Sequence, residues 1–374
     1  MQITERGRLD AGQAGTNRAC VTFPSVTTMP DGSILATCRT GSTKDCDDET
    51  VQLLRSRDGG RSWSEPWTPF STLLEGRQGS LKVCYLTPLD ARRVIACAMW
   101  VDREAHPGRP LFNEQTEGSL PMTILLADSH DLGESWSDWR PLPLPEDLGP
   151  PSLTSPLLKL HSGRLAVSIE SNKSYLDDST WYQRVAYAYS EDDGTTWSDA
   201  VTVCQDPTAR IFNWDQRAGV GLDGELVTFT WTYDRELQKY LNVHRRISRD
   251  EGRTWTAAED LGFADQPSRP AILPDGRVVL AWVDRFGTRS IRARLAAGID
   301  APFPAESEVV LYELDAPPAL DGEQTTGELL AEMGAWNFGL PYAEVLPDGD
   351  VLVVYYAGTN DAMGTRWARL AVDS

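Results

Sequence analysis

An eight-residue pattern, Ser-x-Asp-x-Gly-x-Ser/Thr-Trp, occurs four times along the chain, and no other feature narrows the fold so far. It reads Ser56-Arg57-Asp58-Gly59-Gly60-Arg61-Ser62-Trp63, and it returns at Ser129–Trp136, Ser190–Trp197 and Ser248–Trp255. Its chemistry is that of a tight hairpin. The Asp carboxylate accepts backbone N–H bonds across the turn, the Gly permits a positive φ, and the Trp packs between neighbouring sheets. The boxes therefore read as fold staples with largely buried tryptophans, and they carry no reaction chemistry.

A second repeat sets the count. A strand, a short turn of Asp-Gly type and another strand occur at Pro24–Met29, Asp31-Gly32 and Ile34–Arg39. Related turns fall at Asp90-Ala91, Ser162-Gly163, Asp223-Gly224, Asp275-Gly276 and Asp348-Gly349. The second turn residues are 59, 72, 61, 52 and 73 positions apart, and each interval suits one four-stranded blade plus loops. The pattern predicts an all-β chain: a single six-bladed β-propeller domain over residues 1–374, built of four-stranded antiparallel blades. After Tyr356 only Gly364–Val372 remains to serve as a strand, so Gln2–Leu9 is expected to complete the last blade and close the ring. The stretch 296–335, with Pro302, Pro304, Pro317 and Pro318, reads as irregular, and helix content should be very low.

In such a blade the Asp-Gly turns and the boxes lie on one face. The opposite rim collects residues before each first strand and after each second strand. Those positions hold Arg18, Arg39 and Asp45 from the first blade, and Glu170 and Trp181 from the third. The fourth supplies Asp215, Arg217 and Trp231, and the fifth supplies Arg269 and Arg285. The sixth brings Trp336, Tyr342 and Tyr356. Aromatic faces suit the apolar faces of sugar rings, and arginine forks suit carboxylates or sulfates, so the partner read from this rim is a carbohydrate. A net charge of −20 argues against nonspecific binding to nucleic acid or an anionic membrane. Six cysteines without C-x-x-C spacing, and no H-E-x-x-H or phosphate-loop motif, predict neither metal nor cofactor. Residues 1–6 lack an apolar signal core and no long apolar run occurs, which reads as a cytoplasmic protein with free thiols.

The opening of the first blade reads Val21-Thr22-Phe23-Pro24-Ser25-Val26, Pro30-Asp31-Gly32, Ala36-Thr37-Cys38-Arg39 and Ser42-Thr43-Lys44-Asp45, ending at Arg55-Ser56-Arg57-Asp58. Together with the boxes it resembles the sialidase (neuraminidase) superfamily of Asp-box, or BNR-repeat, propellers, and the repeat pattern spans nearly the whole chain. The resemblance implies that Asp45 takes the place of the loop acid/base, Arg39 that of the arginine before the loop, and Asp215 that of a glutamate in the fourth blade. It also exposes departures. Thr22 and Trp231 stand at two places of the substrate-binding arginine triad, and Leu340 stands where the nucleophilic tyrosine belongs. Arg18, Arg217, Arg269 and Tyr342 lie close enough in sequence to stand in. The resemblance thus implies a divergent branch without an intact sialidase site.

The leading functional reading is an exo-acting glycoside hydrolase for an acidic or unusual glycan. Asp45 is its proton donor, Asp215 the partner carboxylate, Tyr342 a further catalytic candidate, and Arg39 faces substrate or Asp215. Two alternatives stay open. One is a non-catalytic glycan-binding propeller. The other is a polysaccharide lyase with Tyr342 or Tyr356 as base, since His130 and His161 fall in turns of the opposite face.

Overall fold

The computed structural model describes residues 1–314, 326, 336–359 and 361–372; Pro317 and Pro318 lie outside them. The described chain is dominated by antiparallel strands in five hydrogen-bonded sheets, with 3-10 turns at Glu146–Leu148 and Ala305–Ser307. Four sheets have five strands. The seven-stranded sheet holds two antiparallel groups, Phe338–Val345, Val351–Gly358, Met363–Ala371 and Gln2–Asp10 in one, and Cys20–Thr28, Ile34–Gly41 and Thr50–Ser56 in the other. One parallel bridge, Cys20 to Met363, joins them.

Strand position follows from side-chain pattern. Val94–Asp102 and Ile34–Gly41 are buried at every position, as strands in the middle of sheets covered on both faces must be. Gln2–Asp10 instead alternates exposed and partly buried residues, which is the signature of an edge. It pairs antiparallel with Met363–Ala371, from Gln2 opposite Ala371 to Asp10 opposite Thr365. The N-terminal segment therefore lies where the strand count placed it. Gly7 permits that pairing, because a Cβ there would run into the Trp367 ring.

First strands of successive repeats are linked by short polar side chains. Ser25 and Thr27 donate to the carbonyls of Cys84 and Leu86, Thr87 to that of Leu157, Ser155 to that of Gln216, and Thr28 to that of Val345. Each bond satisfies a carbonyl that a sheet ladder leaves unused on that side.

The boxes form the hairpins expected of them. Asp58, Asp131, Asp192 and Asp250 accept the backbone N–H and the hydroxyl of the residue four positions on. Each opening serine accepts the N–H of the box glycine, whose φ of 85–87° is left-handed in all four copies. These glycines face the preceding sheet: a Cβ on Gly133 would meet Leu35, and one on Gly252 would meet Tyr189. The Ser135, Thr196 and Thr254 hydrogen bonds hold Asp131, Asp192 and Asp250 down to about 2. One expectation needs correction. Trp63, Trp136, Trp197 and Trp255 are half-buried, not largely buried, each packed against the margin of a core cluster.

The six cysteines form no disulfide, and five are buried. Among the described residues no helix is long and apolar enough to cross a membrane.

Candidate functional site

The site begins with an irregularity shared by the first strands. Register shifts interrupt the ladder between Thr22 and Ser25, Leu81 and Val83, Trp214 and Arg217, and Gly339 and Tyr342. In the other two units the first strand is split, into Ser152–Leu153 and Leu158–Lys159, and into Gln266–Pro267 and Ala271–Ile272. An extra residue breaks the in–out alternation and re-aims a side chain. Phe23, Asp215 and Leu340 have φ of 47–49° there. Phe23, Lys82, Asp215 and Leu340 from the bulges, with Thr154 and Gln266 from the splits, all line one cavity of about 200 Å³.

Residues at and beyond the ends of the second strands, and Trp336 just before a first strand, build its walls. Arg39, Asp45, Glu170, Trp181, Trp231, Trp336 and Tyr356 line it together with Asp215 and Arg217. Nine residues expected at the rim thus converge. Arg285 stands just behind: its guanidinium lies 4.0 Å over the Trp336 ring and 5.5 Å over Trp231, and donates to Gln266 Oε1 at 2.8 Å.

Three expected residues lie elsewhere. Arg18 is captured by Asp10, at 2.8 Å, and by Gln52, so it turns toward the N-terminal strand. Arg269 and Tyr342 line a second cavity toward the Asp-Gly turns, with Thr28, Lys159 and Glu344. There Arg269 pairs with Glu344, and Tyr342 stacks on Tyr85 at 6.0 Å, 3% exposed. The bulge is the cause, for it presents Leu340 to the pocket and sends Tyr342 away from it. Neither Arg18 nor Arg269 stands in for a missing triad arginine, and Tyr342 does not stand in for the tyrosine.

Electrostatics divide the pocket carboxyls. Asp45 Oδ1 meets Lys82 Nζ at 2.7 Å and Arg103 Nη2 at 2.9 Å, and Oδ2 accepts the Leu111 N–H at 2.7 Å. Burial opposes its charge, but Lys82 and Arg103 outweigh burial and hold the carboxyl well below the usual carboxylate range. Asp45 thus lines the pocket, with its carboxylate held by two cations and an amide. The same cations enclose Glu49, which is 0% exposed and lies 2.8 Å from Lys82, 3.0 Å from Arg103 and 3.4 Å from Arg39. Arg39 thus serves Glu49 rather than Asp215, and stacks on Phe23 at 4.0 Å.

Asp215 pairs with Arg217 at 3.1 Å and accepts from Gln266 Nε2. Glu170 sits beside it under opposite conditions. Its Oε1 accepts only neutral donors, the Thr154 hydroxyl at 3.0 Å and the Gln216 N–H at 2.8 Å. Burial, and next the Asp215 charge, push its carboxyl up to about 8.

The cations show a matching excess. Arg39 and Arg285 are 2% and 6% exposed, and among the described residues Arg39 Nη1 and Arg285 Nε and Nη1 have no hydrogen-bond acceptor. Lys44 donates to the Trp336 carbonyl and to the Tyr356 hydroxyl, at 2.9 and 3.1 Å. Burial and the adjacent Arg39 and Arg285 charges push its ammonium well below the usual lysine range. Aromatic rings form the remaining wall: Trp214 stacks on Tyr233 at 5.3 Å, and Trp231 on Tyr240 at 4.2 Å.

Lys82, Arg103 and Glu49 were not anticipated. Lys82 left a trace, as the one charge inside the apolar run Leu81–Leu86. Glu49 and Arg103 left none.

The shape of the chain can be compared with solved structures. A protein of unknown function from Dyadobacter fermentans superimposes with a TM-score of 0.73 at 21% identity, over 98% of this chain and 99% of that one. The intramolecular trans-sialidase from Ruminococcus gnavus, solved with oseltamivir carboxylate, follows at 0.65 and 14%, over 96% of each. The Trypanosoma rangeli sialidase, solved with sialic acid, gives 0.63 and 12%, over 98% of this chain and 58% of that one. The fold is sialidase-like. No protein-family model matches the sequence, and a search of curated proteins finds no match.

Proposed function

We propose that the chain is a single six-bladed propeller, closed by Gln2–Asp10, that acts as a glycoside hydrolase on an anionic glycan other than a simple sialoside. The seven-stranded sheet is read as two blades joined by the Cys20–Met363 bridge, which with the other four sheets makes six. One observation carries the functional reading: buried guanidinium nitrogens of Arg39 and Arg285 lack acceptors beside a cavity that also holds three carboxyls and a tryptophan wall. A buried donor without a partner costs free energy, and a ligand carboxylate or sulfate would supply the missing acceptors bidentately. The tryptophans offer faces for a sugar ring, and Asp215, paired with Arg217, faces the reacting carbon. The oseltamivir carboxylate and sialic acid in the two sialidase structures are acidic ligands of those proteins, which fits an acidic ligand here.

The test is a panel of 4-methylumbelliferyl glycosides, carboxylated, sulfated and neutral, with binding of the parent sugars measured by calorimetry. Turnover of an anionic member is expected, with KM raised at least about tenfold in Arg285→Ala. Preference for neutral sugars would overturn the reading. Glycan binding without turnover is a second reading, favoured by the ion-paired Asp45 and by Leu340 at the pocket wall. Under it, anionic sugars bind but no glycoside is cleaved.

A further inference from the structure

We propose that Glu170, not Asp45, is the proton donor of this pocket, acting as one half of a carboxyl pair with Asp215. The assignment rests on the glycoside hydrolase reading above.

Glu170 ends the strand Leu165–Glu170, opposite Ser152 on one side and Val185 on the other, and its side chain lines the cavity at 5% residue exposure. The groups facing it come from four elements, one of them Arg77–Pro88, which brings the Tyr85 phenol. Asp215 and Arg217 stand on Ile211–Val220, Thr154 follows Ser152–Leu153, and Cys204 lies behind on Val201–Gln205. The one cation among them is already committed. Arg217 donates to Asp215, to the Tyr85 hydroxyl at 2.8 Å and to the Thr154 carbonyl. No ion pair among the described residues involves Glu170. Of two neighbouring carboxyls, the buried one that lacks a guanidinium is the one that keeps the proton. Asp45 cannot take this part at rest, since two cations and an amide claim its oxygens.

The step balances. The Glu170 proton passes to the glycosidic oxygen as the C1–O bond breaks, its electron pair leaving with that oxygen as an alcohol. Asp215 stabilises the positive charge growing at C1. Water then adds to C1, and its released proton returns to Glu170.

Two measurements decide it. Carboxyl NMR of protein labelled with ¹³C at glutamate should show one protonated carboxyl at about pH 6.5, absent from Glu170→Gln. Thr154→Ala, which keeps the carboxyl and removes one bond to its charged form, should move that titration to higher pH. Kinetics use the aryl glycoside found in the panel, made with a poor and a good leaving group. Glu170→Gln should lose about 10²–10⁴ in turnover with the phenol and less than about tenfold with dinitrophenol, which needs no proton. Asp45→Asn should lower both alike. An ionised Glu170 at that pH, or equal losses for the two leaving groups in Glu170→Gln, overturns this assignment and leaves the hydrolase reading standing. No turnover of any glycoside by the wild-type protein overturns both.

Discussion

Replacing Glu49 with Gln should destabilise the protein by several kilocalories while leaving its shape nearly unchanged. The carboxylate is 0% exposed and is enclosed by Lys82, Arg103 and Arg39 at 2.8, 3.0 and 3.4 Å. Gln keeps the volume and one acceptor but leaves Arg39 without its ion pair, and Lys82 and Arg103 with only Asp45 and the exposed Asp47. Removing one partner of a buried ion pair costs about 3–5 kcal/mol, most of it the uncompensated charge left behind. An unfolding entropy of about 2.1 cal/mol/K per residue gives about 0.8 kcal/mol/K for 374 residues, so the shift in Tm is about 4–6 °C. Differential scanning calorimetry is the assay, with Glu134→Gln as control. Glu134 pairs with Arg55 at 3.3 Å but is 59% exposed, and an exposed pair contributes about 0–1 kcal/mol. A Glu49→Gln melting point within about 1 °C of the wild type would refute the buried-cluster argument.

Four further outcomes follow from the same structure. Asp131, Asp192 and Asp250 titrate near 2 against about 3.9 in an unfolded chain, so their stabilisation is complete above about pH 4 and is lost as pH falls through 2; acid unfolding of Asp131→Asn should lack its share of that slope. Trp136→Ala should cost about 1.5–2.5 kcal/mol in urea unfolding, half the price of a fully buried tryptophan, because the ring is half-buried. With Thr22 and Trp231 at two arginine places, an α-sialyl methylumbelliferyl substrate should give very weak turnover or none, and Tyr342→Phe should not change turnover of any substrate, because Tyr342 faces the second cavity.

Much of the architecture was legible because repetition and hydrogen-bond logic are local. Four boxes name their own turns, and the unpaired final strand called for a partner that Gln2–Asp10 supplies. Pocket membership was legible for residues that end second strands, such as Arg39, Glu170 and Trp231, since position along a strand fixes which end a side chain occupies. It failed for Tyr342 and Arg269, which lie past a bulge and a split. One inserted residue reverses the alternation without leaving a mark in composition. The ionisation pattern was hidden for another reason. Asp45 and Glu170 read alike as carboxylates, and only the spatial arrival of Lys82 and Arg103 at one, and of Asp215 at the other, separates them.

The bulges also divide labour within each first strand. Residues in the ladder hold neighbouring sheets together, and their replacement disturbs the frame. The looped-out residues, Phe23, Lys82, Asp215 and Leu340, are released from the cross-strand pairing and line the cavity, where Lys82 and Asp215 also hold ion pairs. Such a frame can exchange a phenol for an isobutyl group, or one carboxylate for a shorter one, and stay assembled. Its chemistry is carried on interchangeable pegs. Mutational libraries confined to Phe23 and Leu340, which hold no ion pair among the described residues, should therefore sample new ligand preferences at little cost in yield of folded protein.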